Sequence, residues 1–146
     1  MEQTRPFRIL IADDDPDDRE LMSEAASGHA HVDCVSNGDQ LMKSLSLSKH
    51  LPNFILLDLN MPEKGGKECL QEIRHHERLK NIPVIIYSTS SSRKDIDDTF
   101  ELGANLYITK PNSFSELKST IRNIISYDWA EYYPGKCAQG FVYAGS

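Results

Sequence analysis

The sequence predicts an α/β fold, a five-stranded parallel sheet with helices on both faces, and three observations carry that expectation. Apolar runs alternate with segments of helical periodicity from Phe7 to Tyr127. Two of the runs, Phe54-Ile55-Leu56-Leu57 and Val84-Ile85-Ile86-Tyr87, are apolar throughout, as strands buried on both faces are. Most runs stop abruptly in polar groups, at the carboxyl ends of strands where open α/β sheets bind their ligands.

Each element follows from local chemistry. Phe7-Arg8-Ile9-Leu10-Ile11 is a first strand ending in Ala12-Asp13-Asp14-Asp15. Pro16 suits the first turn of a helix, Asp17 and Asp18 complement its dipole, and Leu21, Met22, Ala25 and Ala26 repeat at helical spacing until Gly28. His31-Val32-Asp33-Cys34-Val35 alternates, which suits an edge strand. A second helix buries Leu41, Met42 and Leu45; a third starts at Gly65-Gly66 and buries Cys69, Leu70 and Ile73. After the strand that ends in hydroxyls at Ser88 and Thr89, Ser92 and Asp95 form a capping arrangement for a fourth helix packed through Ile96 and Phe100. Leu106-Tyr107-Ile108 is a fifth strand delivering Thr109-Lys110-Pro111. Ser113 and Glu116 then box the start of a fifth helix, whose apolar face is Phe114, Leu117, Ile121, Ile124 and Ile125.

The tail, 128–146, leaves the alternation but carries Trp129, Tyr132, Tyr133, Phe141 and Tyr143, an aromatic content unusual for a disordered end, which leaves two readings, docking of part of it on the domain or on a second copy, or a mobile terminus. A chain of 146 residues with a formal net charge of -6 and no basic patch excludes nucleic acid and anionic membrane as partners. The amino terminus has no signal-peptide core and no run reaches membrane-spanning length, so a cytoplasmic location is expected. Cys34, Cys69 and Cys137 are far apart and outside any C-x-x-C pair, and His75 and His76 are adjacent on a helix, so neither zinc nor a disulfide framework is indicated.

The strand ends gather Asp13, Asp14 and Asp15, Asp58, Ser88 and Thr89, and Lys110 on one rim. Ionised carboxylates about 4 Å apart repel by roughly 1 to 4 kcal/mol per pair, and a divalent cation relieves that repulsion. Oxygen donors without nearby His or Cys select a hard ion such as Mg²⁺. With a lysine and a hydroxyl added, the set points to phosphoryl chemistry.

Four stretches carry a resemblance. Ile11 to Asp18, Leu57-Asp58-Leu59-Asn60-Met61-Pro62, Pro83 to Thr89, and Gly103 to Pro111 resemble the signatures of receiver domains of two-component response regulators, in order and spacing over about Phe7 to Tyr127. The resemblance implies a flavodoxin-like, CheY-like sheet in order 2-1-3-4-5, a receiver domain over 1–127, and a tail, 128–146, with no output domain. It implies Asp58 as phosphoacceptor, with Mg²⁺ held by Asp14, Asp58 and the backbone carbonyl of Asn60 and helped by Asp13 through water. Lys110 would pair with the phosphoryl group, Ser88 would be the switch hydroxyl, the Thr89 N–H would donate to the phosphoryl group, and Tyr107 would rotate inward on activation. The Lys110–Pro111 peptide would be cis. A sensor histidine kinase or histidine phosphotransfer protein would dock around Asp17, Leu21, Met22 and Pro111. Such a domain is no enzyme beyond its own phosphorylation and dephosphorylation; it signals to a protein partner, associates with itself as a homodimer, or passes the phosphoryl group on. The Asp58–Pro62 stretch, Leu79 to Pro83 and the aromatic tail are similar to stand-alone receivers related to phytochrome-associated regulators. Gly65-Gly66 in place of Asp-Gly, and Thr89 in place of a smaller residue, depart from the family pattern.

Two rivals share some residues. Asp13-x-Asp15 mimics the D-x-D of aspartate-nucleophile phosphohydrolases, but Asp17 stands where those have Thr or Val. Asp13, Asp15, Asp17 and Glu24 fall at EF-hand spacing, but Asp18 replaces the required Gly and a buried strand precedes the run.

Overall fold

The computed structural model describes residues 7–127, 129 and 140–143. Its strands are β1 (Arg8–Ala12), β2 (His31–Val35), β3 (Phe54–Leu57), β4 (Val84–Ser88) and β5 (Leu106–Thr109). They alternate with α1 (Pro16–Ala26), α2 (Gly38–Leu47), α3 (Gly66–Arg74), α4 (Arg93–Glu101) and α5 (Phe114–Ser126). All pairings are parallel, in the order β2-β1-β3-β4-β5. Every residue of β3 and β4 is buried, whereas β2, at the edge, is exposed or half-exposed throughout.

Because successive strand side chains point to opposite faces, each strand feeds two cores. Leu10, Ile55, Leu57, Val84, Ile86 and Tyr107 pack with Leu41, Leu45, Leu70 and Ile73 of α2 and α3. Ile9, Ile11, Phe54, Leu56, Ile85 and Ile108 pack with Met22 and Ala25 of α1 and with Leu117, Ile121 and Ile124 of α5. Each fully buried Leu, Ile or Phe contributes about 1.5 to 3 kcal/mol of transfer free energy. Two residues leave the faces expected of them: Leu21 is 42% exposed and Phe114 36%.

Helix starts are chemically specified. The side chains of Asp15, Asn37, Ser92 and Ser113 accept from the backbone N–H groups of Asp17, Gln40, Asp95 and Glu116. Each such cap is worth about 1 kcal/mol.

Part of the tail docks on the domain. Tyr107 N–H donates to Phe141 O at 2.9 Å and Tyr143 N–H to Tyr107 O at 2.8 Å, a parallel bridge on the outer edge of β5. The Phe141 ring lies 5.2 Å from that of Phe100 and 6.2 Å from that of Tyr107, and Asn123 Nδ2 donates to Tyr143 Oη at 2.9 Å. Trp129 packs 5.6 Å from Phe54 and donates to Ile124 O at 2.9 Å. Tyr132, Tyr133 and Cys137 lie outside the described residues.

Candidate functional site

Strand register assembles the site. Ala12 pairs with Leu57, so Asp13 and Asp58 leave the sheet side by side; Leu57 pairs with Ile86 and Ser88 with Thr109, which brings Ser88 and Lys110 to the same rim. Backbone bonds lock these exits: Asp58 N–H donates to Ala12 O at 2.9 Å, Asp13 N–H to Val35 O at 3.1 Å and Lys110 N–H to Ser88 O at 2.8 Å.

Asp13 is 1% exposed and Asp58 6%, while Asp14 is exposed. One carboxylate oxygen from each of Asp13, Asp14 and Asp58 lies within 4.8 Å of the others, and this is the one such group of potential metal ligands among the described residues. It contains no imidazole or thiolate, so its donors fit a hard divalent cation.

Lys110 meets these acids from the side. Its Nζ lies 2.9 Å from Asp13 Oδ2, 2.7 Å from Asp18 Oδ2 and 3.8 Å from Asp58 Oδ2, and it stands 5.3 Å over the Tyr87 ring. Burial alone would lower the ammonium's pKa, but the bonds to Asp18 and Asp13 and the charge of Asp58 hold it above the ordinary lysine range. Asp58 goes the opposite way for a carboxylate. Its pKa is raised to about 6, the balance of burial, which pushes it up, Lys110, which pulls it down, Asp13 and Asp14, which push it up, and a 3.4 Å bond from Asn60 N–H, which lowers it. Asp58 thus sits close to Lys110 without a tight ion pair, flanked by like charge.

On the hydroxyl side, Ser88 is fully buried and its Oγ accepts from Ser90 N–H at 3.1 Å. Thr89 and Asn60 are exposed at the rim. Tyr107 is already turned inward, 0% exposed, with its hydroxyl donating to Ser90 O at 2.8 Å. Tyr107 thus already holds the inward position expected of the activated form, with Phe141 packed against its ring. No cis peptide occurs among the described residues, so the Lys110–Pro111 bond is trans, the isomer favoured by about 0.5 to 1 kcal/mol in X-Pro peptides.

Leu21 and Pro111 line one cleft together with Asp18, Tyr87, Lys110 and Phe114. Asp17 is exposed nearby on α1. Met22 corrects the expected docking set: it is 1% exposed and lies in the core, because only one side of α1 faces the sheet.

Residue pattern alone does not single out Asp18, Arg19 or Gly66. Side chains of a helix lean toward its amino terminus, so Asp18 in the first turn of α1 reaches back over the strand ends to Lys110. Arg19 donates to Asp13 O at 2.8 Å. Gly66 is required by close approach, since a Cβ there would lie 2.4 Å from the carbonyl oxygen of Asp58. Asp15, the second acid of the D-x-D mimic, is engaged as the α1 cap.

Comparison with known proteins agrees with this geometry. The family model for the response regulator receiver domain matches residues 9–122. The chain is 32% identical over 134 residues to a probable methanogenesis regulatory protein, FilR2, of Methanothrix harundinacea, covering 87% of this chain and 86% of that one. Among solved structures, it is similar to the phosphorylated cyanobacterial phytochrome response regulator RcpA, with a TM-score of 0.76, 34% identity and coverage of 91% and 97% of the two chains. It is also similar to the Mn²⁺-bound form of response regulator Rcp1, with a TM-score of 0.75, 32% identity and coverage of 84% and 94%.

Proposed function

The chain belongs to the response regulator receiver domain family, and on that premise we propose that Asp58 accepts a phosphoryl group from a phosphohistidine of a sensor kinase or histidine phosphotransfer protein. The observation that carries this reading is the placement of Asp58: buried, 3.8 Å from Lys110 Nζ, with the carboxylates of Asp13 and Asp14 within 4.8 Å.

An ionised oxygen of Asp58 attacks phosphorus in line with the P–N bond. That bond breaks, its electron pair stays on the imidazole nitrogen, and an acyl phosphate forms. Lys110 turns from Asp13 and Asp18 toward the new phosphoryl oxygens, the Ser88 hydroxyl donates to one of them, and the Thr89 backbone N–H supplies another donor. Asp13, Asp14, Asp58 and the backbone carbonyl of Asn60 are the groups that would hold Mg²⁺, which when bound offsets the charge on carboxylates and phosphoryl group alike. Water admitted to the same pocket later hydrolyses the acyl phosphate.

The donor docks at the cleft lined by Leu21, Pro111 and Phe114, beside Lys110. We read 1–127 as the receiver and 128–146 as its tail, acting in the cytoplasm. No described helix is long and apolar enough to cross a membrane. Output passes to a protein partner through the loop from Ser88 to Ser92, because Tyr107 is already inward.

Intact mass after incubation with a small phosphodonor and Mg²⁺ tests the reading. A single hydroxylamine-labile phosphoryl adduct, absent in Asp58→Ala, is expected. No adduct and no Mg²⁺ binding would overturn it.

A further inference from the structure

A second polar chain runs behind the phosphoacceptor and reaches the Ser88 loop without passing through the rim. It begins on α3. Gly66 N–H donates to Leu59 O at 3.0 Å, and the Gly66 backbone lies against the carbonyl of Asp58, so the start of α3 is fixed to the acceptor's own loop. The next residue, Lys67, projects across to α4, where its Nζ lies 2.8 Å from Asp95 Oδ1 and 2.9 Å from Asp98 Oδ2.

The two acids differ in what else they hold. Asp98 has a second cation, Lys94, at 2.8 Å. Asp95 has Lys67 as its one ion-pair partner among the described residues, and its other oxygen accepts from Ser90 Oγ at 2.7 Å. Ser90 is then engaged at each of its polar groups: its hydroxyl by Asp95, its N–H by Ser88 Oγ at 3.1 Å and its carbonyl by the Tyr107 hydroxyl at 2.8 Å. The Ser90 hydroxyl also meets Ser92 Oγ at 3.3 Å and accepts from Ser92 N–H at 3.2 Å, so displacing Asp95 removes the shortest of the bonds that set Ser90 beside Ser88. The bonds from Lys67 hold the Asp95 carboxyl below the usual range and Lys67 above its own, so both ends stay charged at neutral pH.

We propose that Lys67 is a positioning residue for phosphoryl binding: its ion pair with Asp95 fixes Ser90, and through it the Ser88 hydroxyl, in the arrangement that receives the group on Asp58. The inference rests on the phosphoacceptor reading and adds to it a residue that touches neither metal nor phosphate. A lysine suits the position, since a compact ammonium on a long stem can bridge two carboxylates from a neighbouring helix.

The rival is a plain staple between α3 and α4, and the test separates the two. Affinity for beryllofluoride, a phosphoryl mimic, is measured by calorimetry in saturating Mg²⁺, beside the thermal midpoint of each variant. Lys67→Met is expected to bind about three- to fivefold more weakly, the range of one partly exposed ion pair. Lys94→Met, which removes an α4 ion pair without touching Asp95, keeps the wild-type affinity. Wild-type affinity in Lys67→Met, or equal weakening in Lys94→Met, would overturn the proposal. Failure of the wild-type protein to bind beryllofluoride would instead bring down the phosphoacceptor reading on which it stands.

Discussion

The two ends of the sheet both bury charge, and they treat it in opposite ways. At the amino-terminal end of the strands, Arg74 donates to the carbonyls of Gly103, Lys80 and Ile82 and to Asn105 Oδ1, at 2.8 to 3.1 Å. Burial lowers its pKa to about 10, still far above neutrality. At the carboxyl-terminal rim, Asp58 keeps company with two further acids and the nearest cation stands 3.8 Å away. A half-buried charge engaged by four hydrogen bonds ties loops together; a buried charge short of partners is a place for something to bind.

The comparison is broken most severely at the satisfied end. Arg74→Met should cost about 2 to 4 kcal/mol in urea unfolding, because the carbonyls and Asn105 lose their donor in a partly buried place. Phosphoacceptance by the folded fraction should survive.

At the other end the sign reverses. The carboxyl of Asp58 moves from 3.8 to about 6 on folding. Between those values the folded protein retains a proton that the unfolded chain has released, so stability falls as pH rises through the window and levels off above it. Asp58→Asn should therefore stabilise the metal-free protein at pH 7, by on the order of 2 to 3 kcal/mol, and flatten the profile between pH 4 and 6. A variant no more stable than the wild type at pH 7 would contradict the burial argument.

Smaller still, Gly66→Ala should destabilise by about 1 to 3 kcal/mol, since its Cβ meets the Asp58 carbonyl, and should slow phosphorylation more than Gly65→Ala, whose Cβ has 3.5 Å to Leu59 O. Mg²⁺ at ten times its Kd should stabilise the protein by about 1.4 kcal/mol, and that gain should shrink in Asp14→Asn. An equal gain in both proteins would place the ion elsewhere.

Much of this contrast is legible in the residues. Uninterrupted apolar runs at Phe54–Leu57 and Val84–Tyr87 identify central strands, and the abrupt polar stops after them put Asp58, Ser88 and Lys110 on one rim. What escapes is whatever depends on distant partners. Arg74 reads as one more surface cation, since nothing local says that the loops at Lys80–Ile82 and Gly103–Asn105 will close over it. Asp18 is one acid in an acidic run until the lean of α1 carries it to Lys110. Helical spacing assigns Leu21 and Met22 to one stripe, and only the angle of α1 on the sheet separates them, one to the cleft and one to the core. The inward Tyr107 depends on Phe141, thirty-odd residues later in the chain, which no periodicity connects to it.

That contact reaches beyond the site. An open sheet has two margins, and each is a template on which a foreign strand can polymerise. Here β2 lines its margin with exposed polar side chains, His31 beside Asp33 at 3.2 Å. The β5 margin has no such guard of its own; Tyr107, its central position, has both outward amide groups taken by Phe141 and Tyr143. The short tail segment thus occupies the hydrogen-bonding positions that a foreign strand would need at Tyr107 on this margin.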